Sequence, residues 1–147
     1  MAPITFDNEG NIYGNTNLGG NNFGIAFELE KKGRHYKEVM LHNFCSLNNC
    51  LDGESPLNAL LFGKSGVVYG TTPYGGKPGV LGGVVFELAL TRYGWRETVL
   101  HSFAGGADGI GPRGLISDTQ GNLYGVTVSG GDQHGQRGYG TVFEVTP

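Results

Sequence analysis

The chain has 147 residues, a net charge of −3 and only 16% charged residues. It has no cluster of Lys and Arg, so it lacks the basic footprint that nucleic acid or an anionic membrane surface would need. Glycine fills 28 positions, far above the usual share of roughly 7% and without a collagen period. No apolar run approaches the roughly 20 residues that span a bilayer. What remains is a turn-rich all-β chain, with no nucleic-acid partner and no membrane insertion expected.

The sequence repeats itself. Tyr13-Gly14, Tyr69-Gly70 and Tyr124-Gly125 are spaced by 56 and 55 residues, and around them 4–20, 60–76 and 115–131 align without a gap. A period of this length marks stacked supersecondary units, here approximately 1–56, 57–112 and 113–147, treated as one repeat domain. The first unit opens with an apolar strand a over 4–6, turns through Asp7-Asn8-Glu9-Gly10, and continues as strand b over 12–16. Glycine at the fourth loop position suits a hairpin turn that needs positive φ. The glycine after each Tyr leaves room for a close approach. After a loop at 20–24 comes strand c over 25–29, in which Phe27 and its i±2 neighbours share one face and Glu28 points the other way. Strand d covers 36–44, and a loop containing Cys45 and Cys50 ends at Asp52-Gly53-Glu54-Ser55-Pro56.

The second unit reads the same way. Strand a is expected over 60–62, b over 67–72, c over 84–88 and d over 95–103, with a loop ending Asp108-Gly109-Ile110-Gly111-Pro112. The third has a over 115–116, b over 122–127 and c over 141–145, and no strand d follows in the sequence. The b–c loop lengthens from unit to unit, 20–24, 76–83 and 131–140, as surface segments do. Eleven short strands in the order abcd, abcd, abc predict β-propeller-like repeats of four antiparallel strands, two and three-quarter blades per chain. A β-trefoil, with three four-stranded units closing as a monomer, is the alternative.

The runs 121–125, 140–147, 95–103 and 107–109 resemble, in order, the tandem repeats called GloVer, found mostly in bacterial surface and secreted proteins. The resemblance covers almost the whole chain. It implies a propeller-like repeat array in an extracellular or cell-surface setting, although the start of this chain has neither the basic nor the apolar region of a signal peptide. The longer Cys45 to Cys50 loop also looks like a variant of that family.

Blades hide their faces only by stacking on neighbours. Three in a row would leave two apolar faces in water, so the chain is expected to associate with itself, most simply as a dimer forming a six-blade ring, or to adjoin further repeats of a longer chain. Glu28, Glu87 and Glu144 occupy one equivalent position, and His42 and His101 another. A carboxylate and an imidazole on neighbouring strands could form an acid/base pair, but groups repeated in every unit are read first as structural. Tyr13, Tyr69 and Tyr124 are read as packing between blades rather than as ligand-stacking platforms. Asp52-Gly53 and Asp108-Gly109 resemble fragments of calcium loops but supply one carboxylate apiece, so no metal and no cofactor is assigned. Cys45 and Cys50 can pair if their loop folds back, or stay free thiols.

The longest variable loop places Asp132, Gln133, His134, Arg137 and Tyr139 on glycine hinges, and these, with Tyr74, are the candidate ligand-binding residues. No nucleophile elbow, phosphate loop or zinc signature is present, and no catalytic residue is assigned. The sequence favours a non-catalytic module presenting a surface to a glycan or protein partner. A structural spacer of a larger secreted protein and a carbohydrate-active propeller enzyme are the other readings.

Overall fold

The computed structural model describes residues 3–131 and 138–147. Among them are eleven strands, gathered into three separate antiparallel sheets. The first sheet is β1 (Thr5–Phe6), β2 (Ile12–Thr16), β3 (Ile25–Lys32) and β4 (His35–Asn43), in that spatial order. The second is β5 (Leu61–Phe62), β6 (Val68–Thr72), β7 (Val84–Thr91) and β8 (Gly94–Ser102), built alike. The third is β9 (Ile110–Ser117), β10 (Leu123–Ser129) and β11 (Val142–Val145). The trefoil alternative would pair strands of different units into a closed barrel, and these three sheets are separate.

The strands differ from the sequence expectation at their ends. β3 and β7 run past residues 29 and 88 into Glu30-Lys31-Lys32 and Ala89-Leu90-Thr91, whose last residues are exposed. There each meets strand d in a tight hairpin, with Lys32 opposite His35 and Thr91 opposite Gly94. β9 starts five residues early because 110–112 also pair with 127–129 of β10. The counterpart between the first two units is a single bridge, Glu54 to Tyr74. The segment joining units is anchored on both sides: Ser55 N donates to Phe23 O at 2.7 Å and Glu54 N to Tyr74 O at 3.0 Å.

Two cores fill the spaces between sheets. Tyr13, Ala26, Leu41 and Phe44 of the first sheet meet Leu60, Val68, Phe86 and Leu88 of the second. Tyr69, Val85 and Phe103 of the second meet Leu123, with Leu115, Phe143 and Val145 packed alongside. The joints repeat in detail, since Phe44 meets Phe86 and Phe103 meets Phe143, each with ring centroids 5.0 Å apart. The Tyr-Gly motif takes its meaning from this packing. Gly14, Gly70 and Gly125 lie opposite Phe27, Phe86 and Phe143, and a Cβ on each would fall 2.8, 2.3 and 2.4 Å from the Phe ring. The glycine therefore admits an aromatic ring across the strand, whereas the sequence suggested only a close approach.

Candidate functional site

The repeated histidines are committed to loop closure. On β4, His42 places Nε2 3.0 Å from Asp52 Oδ2. Asp52 is fully buried and also accepts from Ser46 N at 2.9 Å, Ser46 Oγ at 2.8 Å and Leu47 N at 3.2 Å. On β8, His101 Nε2 lies 3.0 Å from Asp108 Oδ1, and Asp108 Oδ2 accepts from Ala104 N at 2.6 Å. Each imidazole stands edge-on to a phenylalanine, Phe44 or Phe103. The carboxylate thus ties strand d to the end of the loop that leads into the next unit. Burial lowers the His42 pKa, opposed by the Asp52 carboxylate. Burial alone would raise the Asp52 pKa, but the donors of Ser46 and Leu47 hold it below the usual carboxylate range.

Ser46, His42 and Asp52 are the residue types of a catalytic triad in the wrong arrangement. The serine hydroxyl donates to the carboxylate and not to the imidazole, so nothing activates it as a nucleophile. The Asp-Gly pairs that resembled calcium-loop fragments spend their carboxylate oxygens on these protein donors. The sequence singled out both histidines and both aspartates but did not join them. The signal was available: each loop after strand d ends in Asp-Gly, and the spacing differs only by the three-residue extension that carries the cysteines.

The glutamates have other partners. Glu28, Glu87 and Glu144 lie directly opposite Tyr13, Tyr69 and Tyr124, while His42 lies opposite Ala26 and His101 opposite Val85. Burial first, and then the Glu28 carboxylate that accepts from the phenol, pushes the Tyr13 pKa well above its usual range. Burial and Glu87 raise that of Tyr69. Burial, a hydrogen bond to Asp118 and the nearby Glu144 raise that of Tyr124. The a–b turns close on themselves as well: Asp7 accepts from Glu9 N and Asn11 N, and Asp118 from Gly121 N and Asn122 N, at 2.7–2.9 Å.

One ionisable group at the first joint is left short of a partner. Glu97 on β8 sits opposite Leu88 in the ladder, on the face that meets the first sheet. Its Oε1 is buried with no hydrogen-bond partner among the described residues. Burial, followed by the charge of Asp52, pushes the Glu97 pKa up to about 7.

Cys45 and Cys50 form a disulfide, with Glu54 beside them. Of the candidate binding residues, Asp132, Gln133, His134 and Arg137 lie outside the described residues. Tyr139, at the end of the same loop, is fully exposed. Tyr74 is exposed in the second unit, where its carbonyl accepts from the Thr72 hydroxyl at 2.8 Å.

A cleft of about 400 Å³ opens beside Tyr69, lined by Phe62, Lys64, Ser117, Asp118 and Gln120 among others. It has a sequence cause. At the first joint Phe62 meets Tyr13 edge-on at 4.8 Å, and the position equivalent to Phe62 in the third unit is Ser117.

The outer faces of the end sheets leave apolar residues exposed. On the first sheet Ile4 is 58% exposed, whereas its equivalent Leu60 in the second unit is 2% exposed. On the third sheet Val142 is 80% exposed, whereas its equivalents Ala26 and Val85 are both at 0%. A shallow groove of about 340 Å³ lies on that third face among Ile116, Tyr124, Val126 and Val142. No helix among the described residues is long and apolar enough to cross a membrane.

Separate sheets of one pattern, cemented by aromatic joints and stapled loops, define an all-β tandem-repeat protein. A family model described as the Gloeobacter/Verrucomicrobia repeat matches residues 1–147, and the chain belongs to that family. Neither the curated proteins nor the solved structures yielded a match.

Proposed function

We propose that this chain is a non-catalytic, propeller-type repeat module that presents a binding surface to a glycan or protein partner, in an assembly completed by further blades. One observation carries the reading. The polar groups that recur from unit to unit face one another, His42 bonded to Asp52, His101 to Asp108 and each Tyr opposite its Glu in the ladder, while the apolar faces at both ends stay open. Groups held in this way maintain the fold and leave no base poised against a nucleophile. The variation between units falls in the b–c loops, where a rigid repeat scaffold offers recognition elements. The Cys45–Cys50 disulfide fits an oxidising, extracellular or cell-surface location.

Glycan and protein arrays probed with the folded, fluorescently labelled chain test this reading. Saturable binding to a subset of ligands, with each ligand recovered unchanged, is expected. Silence on every ligand contradicts the binding role, and turnover of a bound glycan contradicts the non-catalytic one.

A further inference from the structure

The two open faces are not alike, and their difference is informative. Within the chain a joint is made from two dissimilar halves. The forward half, taken from the earlier sheet, offers Tyr13 and Ala26 or Tyr69 and Val85. The backward half, taken from the later sheet, offers Leu60 and Phe86 or Leu115 and Phe143. The same halves meet twice, with the same Phe–Phe separation. The repeat alignment and the ladder registers place Ile4 and Phe27 on an uncovered backward half in the first sheet. They place Tyr124 and Val142 on an uncovered forward half in the third.

We propose that a second copy of this chain covers these faces head to tail, the first sheet of one copy seating on the third sheet of the other as Phe86 and Leu60 seat on the first sheet within the chain. This rests on the blade-completed assembly proposed above and names a second copy as the source of the further blades, with its polarity, register and residues. Two like halves would not substitute. Backward on backward sets Phe27 against Phe27 and leaves Val142 in water. Forward on forward sets Val142 against Val142 and leaves Ile4 and Phe27 in water. A contact between unlike faces is heterologous, and it closes into a ring or propagates; two three-sheet copies closing on each other bury all four open faces. Among the described residues the third sheet has three strands, so this joint rests on β9, β10 and β11 and lacks the strand-d contribution of Leu41 and Phe44.

Paired surface variants test the polarity. Ile4→Glu with Met40→Glu blocks the backward half, and Ile116→Glu with Val142→Glu blocks the forward half. All four positions are more than half exposed, so circular dichroism and thermal melts should match wild type. By light scattering and sedimentation, wild type is expected to associate and each double variant to run as a 15.6 kDa monomer. An equimolar mixture should regain a dimer held by the one intact pair of halves. That dimer should be on the order of 100-fold weaker than wild type, because the second, intramolecular joint is lost. If wild type associates but one double variant still self-associates, or the folded mixture stays monomeric, the head-to-tail joint is wrong while self-assembly stands. If wild type is itself a monomer at high micromolar concentration, both fall.

Discussion

The second and third sheets carry almost the same words on their strand b, Val-Tyr-Gly-Thr-Thr over 68–72 and Leu-Tyr-Gly-Val-Thr over 123–127. All five residues are buried in the second sheet, whereas in the third only Leu123 and Thr127 are. The residues are nearly the same and each strand lies between two others, so the difference comes from neighbours. The second sheet is covered on both faces and the third on one. A repeat of this kind encodes a two-sided element, and burial is conferred by whatever stacks on it.

The comparison can be broken most forcefully in the core. Phe86→Ala should cost about 3–5 kcal/mol, because Phe86 is fully buried at the first joint. The equivalent Phe27→Ala, on an open face, should cost less than half as much in a monomeric background. Urea titrations of the two variants check this, and equal losses would mean that the open face is already covered. Next come the staples. Asp52→Ala leaves a half-buried imidazole and three loop donors unpaired and should cost about 3 kcal/mol. Asp108→Ala should cost about 1 kcal/mol, since the side chains of the His101–Asp108 pair are 38% and 35% exposed.

Glu97 sharpens the contrast between the two joints through pH. Its carboxyl is held up to about 7 in the fold against about 4.3 in a free chain. The stability contributed by the neutral carboxyl is therefore complete below about pH 4.3 and lost as pH rises through 7. Glu97→Gln should leave stability nearly unchanged at pH 4 and raise it at pH 8 by about 2 kcal/mol, the roughly 3.7 kcal/mol of the full shift being screened by water at a partly exposed carboxyl. His42, whose pKa is lowered by burial, acts in the opposite sense: its contribution is lost as pH falls below its free value, and that slope should persist in the variant. Chemical denaturation at a series of pH values reads both, and a pH-independent effect of Glu97→Gln would remove the buried-carboxyl account. The smallest effect is expected at Ser117→Phe, which fills the cleft beside Tyr69 as Phe62 does beside Tyr13. It should add about 1 kcal/mol, and a loss would show that the cleft is shaped differently from the first joint.

Much of the architecture was legible because it rests on period. The repeat of Tyr-Gly, the glycine-closed a–b turns and the Phe-Glu-Leu or Phe-Glu-Val faces placed all eleven strands in order. Strand ends were less visible, because Glu30-Lys31-Lys32 reads as loop while in the structure it continues a hairpin into solvent. The start of β9 was hidden by Gly111 and Pro112, which look like punctuation but pair with β10. The His–Asp staples escaped because the cysteine-bearing extension changes the spacing, 10 residues in one unit and 7 in the next, and hides that both loops end in the same Asp-Gly. The cleft at Ser117 turned on one side chain in an otherwise regular alignment. The Glu97 carboxyl was invisible because only the stacking of sheets decides which face of β8 is dry.

The claim on which the account depends most is that the outer faces of the first and third sheets do not stay in water. Light scattering across a concentration series of the full chain tests it directly. The account predicts a particle of at least twice 15.6 kDa, with the dimer simplest, that dissociates only on dilution. A folded, cooperatively melting 15.6 kDa monomer at every concentration would contradict it.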